Sequence, residues 1–172
     1  MKDRSPPPLP DLHRLAARAA EQGLKLGLRA PRRLGVWSLQ VGIARPSADG
    51  SAELLAEMKG WALPQPGGLQ LDTLQVRRGS DPLVSPLIWA ATMAWALEAT
   101  PCRRARFLAI RDNARQHQRL VRYFQQLGFS PTRELGSAPG DLPLRLLWGG
   151  SGLLMAGDCS ETLRRCARRL GL

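Results

Sequence analysis

Two hydrophobic periods alternate along the chain, and each change from one to the other marks an element boundary. Leu12, Leu15, Ala16, Ala19, Ala20, Leu24 and Leu28 recur at three- and four-residue spacing. They predict a helix over 11–28, with Asp11 as N-cap and Pro31 as its stop. From Val36 the period falls to two. VWSLQVGIAR, then Glu53 to Leu63, then Leu69 to Arg77 read as three strands. Asp49-Gly50 centres the first turn and Pro64 to Gly68 forms the second, so the three make an antiparallel meander.

Ser85-Pro86 predicts the next helix, with serine as N-cap and proline at the first helical position, where its missing N–H costs nothing. Leu87, Ile88, Ala91, Met93, Ala94, Trp95 and Leu97 leave that helix almost no polar face, so it should be buried, and Pro101 closes it. Arg106 to Arg111 has the apolar centre of a core strand. A helix over 114–127 follows, with Leu120, Val121, Phe124 and Leu127 on one face and Gly128 as its stop. Thr132 to Leu135 and Leu144 to Trp148 read as short strands flanking a loop at 136–143. The GGSG run at 149–152 reads as a bend or bulge rather than a phosphate loop, because LLMAG continues as strand and no apolar helix opens after it. Ser160 caps a last helix, Glu161 to Leu170, whose arginines in the final turns suit the helix dipole. Met1 to Pro10 reads as disordered, and 11–172 as one domain.

The stretch ARFLAIRDNARQHQRLVRYFQQLGF, Ala105 to Phe129, passes from strand into amphipathic helix and stops sharply at Leu127-Gly128-Phe129. Together with the element order over roughly residues 34 to 148, it resembles the GNAT acyltransferase fold. The resemblance implies an α/β (α+β) class with a mixed, largely antiparallel sheet flanked by helices, here with an N-terminal helix and a basic C-terminal helix. It also implies that the fourth strand, Leu69 to Arg77, splays from the fifth, Arg106 to Arg111. The pantetheine of acetyl-CoA or another acyl-CoA would then pair with backbone around Leu74, Gln75 and Val76. The family usually has a first strand and two substrate-binding helices before the meander. A single helix is read here, which implies a reduced acceptor-binding part.

In the family a loop of the form R/Q-x-x-G-x-G/A at the start of the next helix holds the pyrophosphate through free N–H groups. The corresponding run is Arg77-Arg78-Gly79-Ser80-Asp81-Pro82-Leu83, so Arg77, Arg78, Gly79 and Ser80 become the candidate phosphate ligands. In either alignment Asp81 stands beside the expected phosphate, and Pro82 offers no N–H. The second family signature is an asparagine, a tyrosine about seven residues later, then Gly-Phe; the tyrosine commonly protonates the departing thiolate. Anchoring on Gly128-Phe129 puts Phe124 at the tyrosine position and His117 at the asparagine position. Asn113 becomes the asparagine if one helical turn is inserted. Tyr123 lies about 100° around the helix from Phe124, so it serves only if the register or rotamer differs from the family norm; with that condition Tyr123 and His117 are the candidate catalytic residues. LVRYFQQLGF followed by LPLRLLWGGSGLLM also looks like GNAT-like proteins of cyanobacteria and plastids, which implies a photosynthetic source.

Composition narrows the choice. With 44% hydrophobic and 23% charged residues among 172, the chain has ordinary globular make-up, and no run is long and apolar enough for a membrane span. The start lacks a secretion signal, so a cytoplasmic protein is expected. Cys102, Cys159 and Cys166 form no CxxC pair, and with two histidines there is no metal-ligand spacing and no nucleophile elbow. The net charge of +11 is almost all arginine. It suits acyl-CoA phosphates or an acidic protein partner; RNA ranks last because no RNA motif accompanies it. Trp37 and Trp61 are candidates to face outward from the meander. Two readings stand: an acyl-CoA-dependent N-acyltransferase with a degenerate cofactor loop, or a non-catalytic binding or assembly module of the same fold.

Overall fold

The computed structural model describes residues 7–110, 114–148 and 152–172. Helix α1 (Leu12–Glu21) starts where expected, the Asp11 carboxylate accepting from the Arg14 N–H at 2.7 Å. It ends seven residues early by comparison with the 11–28 expectation. Gly23 turns the chain at φ +66, and β1 (Lys25–Arg29) follows. A first strand therefore precedes the meander after all, which corrects the expected extent of the helix; among the described residues α1 is the single helix ahead of the meander, as the sequence reads. The link from it to the meander is residues 30–35, containing β2 (Arg32–Arg33), with no helix in it.

The meander is β3 (Val36–Pro46), β4 (Ala52–Ala62) and β5 (Leu69–Val76). After it come α2 (Val84–Ala99), β6 (Arg104–Ile110), α3 (Ala114–Gln126), β7 (Phe129–Leu135), one 3-10 turn at Pro139–Asp141, α4 (Leu142–Trp148), β8 (Gly152–Asp158) and α5 (Cys159–Leu170). Residues 144–148, expected as strand, are helical; the apolar run LPLRLLW does not distinguish the two periods, and Pro143 sits in the first turn, where a helix tolerates it. The GGSG bend falls mostly outside the described residues, while LLMAG is strand.

The sheet runs β1-β3-β4-β5-β6-β8-β7, with β2 paired to β3. Every pairing is antiparallel except β5 with β6, which is parallel because the buried α2 carries the chain back between them. β8 inserts between β6 and β7. One sheet face presents Leu39, Val41, Ile43, Met58, Leu71, Phe107 and Met155, all buried, toward α2. Twelve of the sixteen residues of α2 are buried, among them Trp89 and Trp95, and α1 and α5 pack along it. The opposite sheet face carries the exposed Ser38, Gln40, Lys59 and Arg106. Trp61, paired with Ser38, lies on that outer face, whereas Trp37 packs against the core beneath the Arg32 guanidinium, 4.3 Å from its ring.

Part of the arginine charge is structural. Arg165 donates to the Gln125 and Gln126 carbonyls at the end of α3 and to Glu161, Arg18 donates to the Leu170 carbonyl, and Arg103 donates to the Thr100 and Cys102 carbonyls. The Gln125, Gln126, Leu170 and Thr100 carbonyls lie at helix C-termini, where a cation both bonds and meets the dipole. Asp158, not Ser160, caps α5, accepting from the Glu161 N–H at 2.9 Å.

Candidate functional site

β5 and β6 pair through only three residue pairs, Leu69 with Ala105, Gln70 with Arg106 and Leu71 with Phe107. Both strands continue, to Val76 and Ile110, without pairing further. The cause lies one strand away. Lys59 pairs with Thr73 and Gly60 with Leu71, so Asp72 is an extra residue, a bulge that bends β5 away from β6 directly after their last pair. Gly60 permits it: a Cβ there would stand 2.3 Å from the Gln70 carbonyl oxygen. Backbone groups of Thr73 to Val76 on the β6 side are thus freed from the ladder.

The gap holds a cavity of about 200 Å³, lined by both strands and by α2 and α3: Leu71, Asp72, Leu74, Trp89, Phe107 and Phe124 form most of its wall. Its floor is an aromatic cluster. Phe107 and Phe124 have ring centroids 3.9 Å apart, and Trp89 meets Phe124 edge-on at 5.8 Å. Among the described residues, Asp72 is the one titratable residue in that lining.

Leu74 lines the cavity, and Gln75 and Val76 follow it along the open edge of β5. Phe124, at the position of the family tyrosine, faces the cavity, while Tyr123 does not. The Tyr123 hydroxyl is instead hydrogen-bonded to Ser85 Oγ in the first turn of α2, and burial raises its pKa. That bond also explains why Ser85 is not the N-cap: α2 starts at Val84 with Leu83 in the cap position. His117 is half-buried on the N-terminal half of α3 and outside the cavity lining. Asn113 lies outside the described residues.

The start of α2 is nearly spent as an anion site. The Leu83 N–H donates to Asp81 Oδ1 at 2.8 Å, the Val84 N–H to the Asp81 carbonyl at 3.0 Å, and the Leu87 N–H to the Leu83 carbonyl. Pro86 has no N–H, which leaves Ser85. Upstream, the Ser80 N–H donates to the Arg77 carbonyl, and the Arg77 guanidinium is paired with Glu53. Arg78 and Gly79 are exposed, and Ser80 Oγ is buried with no hydrogen-bond partner among the described residues.

Sequence reasoning missed Asp72, although a signal was there. In LQLDTLQV the apolar positions run 69, 71, then 74, 76, and the three-residue step between Leu71 and Leu74 is what one inserted residue does to a period of two.

Among the described residues no group of histidine, cysteine and acidic side chains could hold a metal ion, and no helix is long and apolar enough to cross a membrane. Cys102, Cys159 and Cys166 are free and buried. No protein-family model matches the sequence, and a comparison with curated proteins finds no match. Among solved structures, the chain is similar to a crystal structure of aminoglycoside 6′-acetyltransferase type Ii, with 17% identity, TM-score 0.42, and 70% of this chain and 69% of that one covered. It is also similar to the aminoglycoside 6′-N-acetyltransferase from Enterococcus faecium, with 14% identity, TM-score 0.38, and 70% and 73% covered. The sheet is largely antiparallel and open, flanked by helices, with one parallel pair that opens into a splay.

Proposed function

We propose that the protein is an acyl-CoA-dependent N-acyltransferase whose reaction takes place at the apex of the β5–β6 splay. The observation that carries this is Asp72, a carboxylate at the bulge that creates the gap and, among the described residues, the sole titratable group of its lining. The gap suits the reactive arm of the cofactor: unpaired backbone of β5 offers hydrogen bonds to pantetheine amides, and the walls of Leu71, Leu74, Phe107 and Phe124 suit an acyl chain. The start of α2 suits the diphosphate less well, since Asp81 occupies its N–H groups. Anchoring there falls to Arg77, Arg78 and Ser80.

When bound, acyl-CoA supplies an acyl group activated as a thioester. Asp72 accepts a proton from the incoming ammonium, so that a neutral nitrogen attacks the carbonyl. The aromatic walls exclude water and so protect the thioester from hydrolysis. Phe124 donates no proton, which leaves the departing thiolate to solvent at the open end of the splay.

The test is calorimetric titration with acetyl-CoA alongside turnover of an amine panel, with Asp72→Asn as the variant. Retained binding and a loss of turnover of about 10² to 10⁴, the usual worth of a general base, support the reading. No binding at millimolar acetyl-CoA sinks it.

A second reading, a non-catalytic module of this fold, is favoured by the Asp81 side chain filling the phosphate position and by phenylalanine at 124. Its partner would be an acidic protein meeting the exposed Arg168 and Arg169 of α5. Recovery of a stable complex at moderate salt, with acetyl transfer absent, supports this second reading.

A further inference from the structure

On the outer sheet face a groove of about 350 Å³ crosses four strands, lined by Arg29 of β1, Ser38 and Gln40 of β3, Lys59 and Gly60 of β4, and Asp72 of β5. Asp72 is therefore shared between this groove and the splay cavity. The register aligns the groove in one row, Arg29 opposite Gln40, Gln40 opposite Lys59, and Lys59 opposite Thr73. Three strand spacings separate its ends, about 14 Å between backbones.

The charges along the row are unequal in availability. Lys59 is held 3.1 Å from the Glu57 carboxylate, which also accepts from Gln40 Nε2 at 2.7 Å. Those contacts, the Gln40 bond first, hold the Glu57 pKa below the usual carboxylate range, so the central cation is already neutralised. Arg29 and Asp72 have no ion-pair partner among the described residues. The groove is a dipole, with an available guanidinium at one end and an available carboxylate at the other, beside the thioester position.

We infer that the acceptor is a zwitterion: an aliphatic amine that carries a compact oxyanion at its far end. The ammonium meets Asp72, where it loses its proton, and the oxyanion meets the planar fork of Arg29, which matches carboxylate or phosphate in a bidentate way. This rests on the acyltransferase reading for the reaction and on the groove alone for the ligand. The separation of the ends favours a longer ω-amino acid over glycine, and Arg29 disfavours polycations. The transfer balances: the nitrogen forms the amide bond, the carbon–sulfur bond breaks with its electron pair leaving on the CoA thiolate, the amine proton passes through Asp72 to solvent, and solvent protonates the thiolate.

The experiment follows backbone amide shifts of Arg29, Gln40, Lys59 and Asp72 in the labelled full chain during titration with ε-aminocaproate, its carboxamide, phosphoethanolamine, glycine and spermidine. Acetyl-CoA calorimetry and turnover run in parallel. The expected result is shifts confined to the groove, with the carboxamide at least ten-fold weaker than the acid. Arg29→Gln should erase that difference while leaving carboxamide binding unchanged. Tighter binding of phosphoethanolamine than of any ω-amino acid assigns the oxyanion to phosphate, also within the proposal. Equal binding of acid and carboxamide, preference for spermidine, or no shift in the groove overturns it. Silence toward acetyl-CoA with groove binding intact sinks the acyltransferase reading separately, because the ligand assignment is read without cofactor.

Discussion

Replacing Asp81 by asparagine should tighten acetyl-CoA binding. The Asp81 carboxylate stands at the start of α2, where its Oδ1 takes the Leu83 N–H. Asparagine keeps an oxygen for that N–H, so the turn and the helix start survive and only the charge is lost. A diphosphate at about 4 Å from a unit charge is repelled by about 1 kcal/mol per charge pair in water-like surroundings, rising to about 4 at an effective dielectric of 20. The loop from Arg77 to Gly79 is exposed, so the lower figure applies. Two phosphate charges then give about 2 kcal/mol, or roughly thirty-fold in Kd. Calorimetric titration at low and at physiological salt measures it, and the gain should shrink as salt rises. Asp81→Ala serves as the contrast, since it removes both charge and cap and should cost about 1 kcal/mol of folding stability. If Asp81→Asn leaves Kd within two-fold of the parent at both salts while the protein still binds acetyl-CoA, the diphosphate does not sit at the start of α2.

Three further outcomes are expected. Phe124→Tyr puts a phenol into the cavity wall beside Phe107, and in the acyltransferase reading it should raise turnover several-fold with little change in KM; a pH–rate profile that gains no new basic limb counts against that placement. Burial pushes the Cys159 and Cys166 thiols up from 9.0 to about 12, so below pH 9 both states keep their protons and the full stability is present. Above that value the unfolded chain loses protons that the folded one retains, and stability should fall as pH rises from about 9 to about 12, by up to about 1.4 kcal/mol per pH unit per thiol. Urea midpoints across that range check it, Cys166→Ala should make the slope shallower, and a flat profile contradicts the burial. Gly60→Ala forces a Cβ against the Gln70 carbonyl and should cost about 1 to 3 kcal/mol in thermal unfolding. Because that contact sets the bulge, acetyl-CoA affinity should fall with it; unchanged affinity in a destabilised variant would separate the bulge from the site.

The strands and helices whose period is unambiguous were legible in the chain. The meander, the apolar α2 and the amphipathic α3 need only local patterning, and the Gly128-Phe129 ending led to the correct fold class. Residues 24–29 were misread for a definite reason: Leu24 and Leu28 are four apart, a spacing that fits both a helical face and every second strand position. Gly23, with its positive φ, decided between them. The helix at 142–148 was missed because a seven-residue apolar run carries too few turns to show a period. The splay and Asp72 were harder, since a bulge is a relation between strands: it needs Gly60, twelve residues upstream, to admit the Gln70 carbonyl. The direction of the Tyr123 hydroxyl depended on Ser85 likewise, a partner thirty-eight residues away.

The strand order β6-β8-β7 bears on how the chain is made. β8 is synthesised after both strands that it separates. Until residues 152–158 leave the ribosome, β6 is joined to the sheet only by its three pairs with β5, and β7 has no neighbour in the sheet. A nascent chain halted before that point presents unpaired edges on both strands, together with the surface of α2 that α5 later covers. Such edges are templates for wrong pairing, including β6 with β7 themselves, and natural substrates for chaperones. The wedge between β5 and β6 is therefore among the last parts to gain its final shape, and the stability of its far wall is set by β8, which pairs along the whole of β6 on the side away from the cavity.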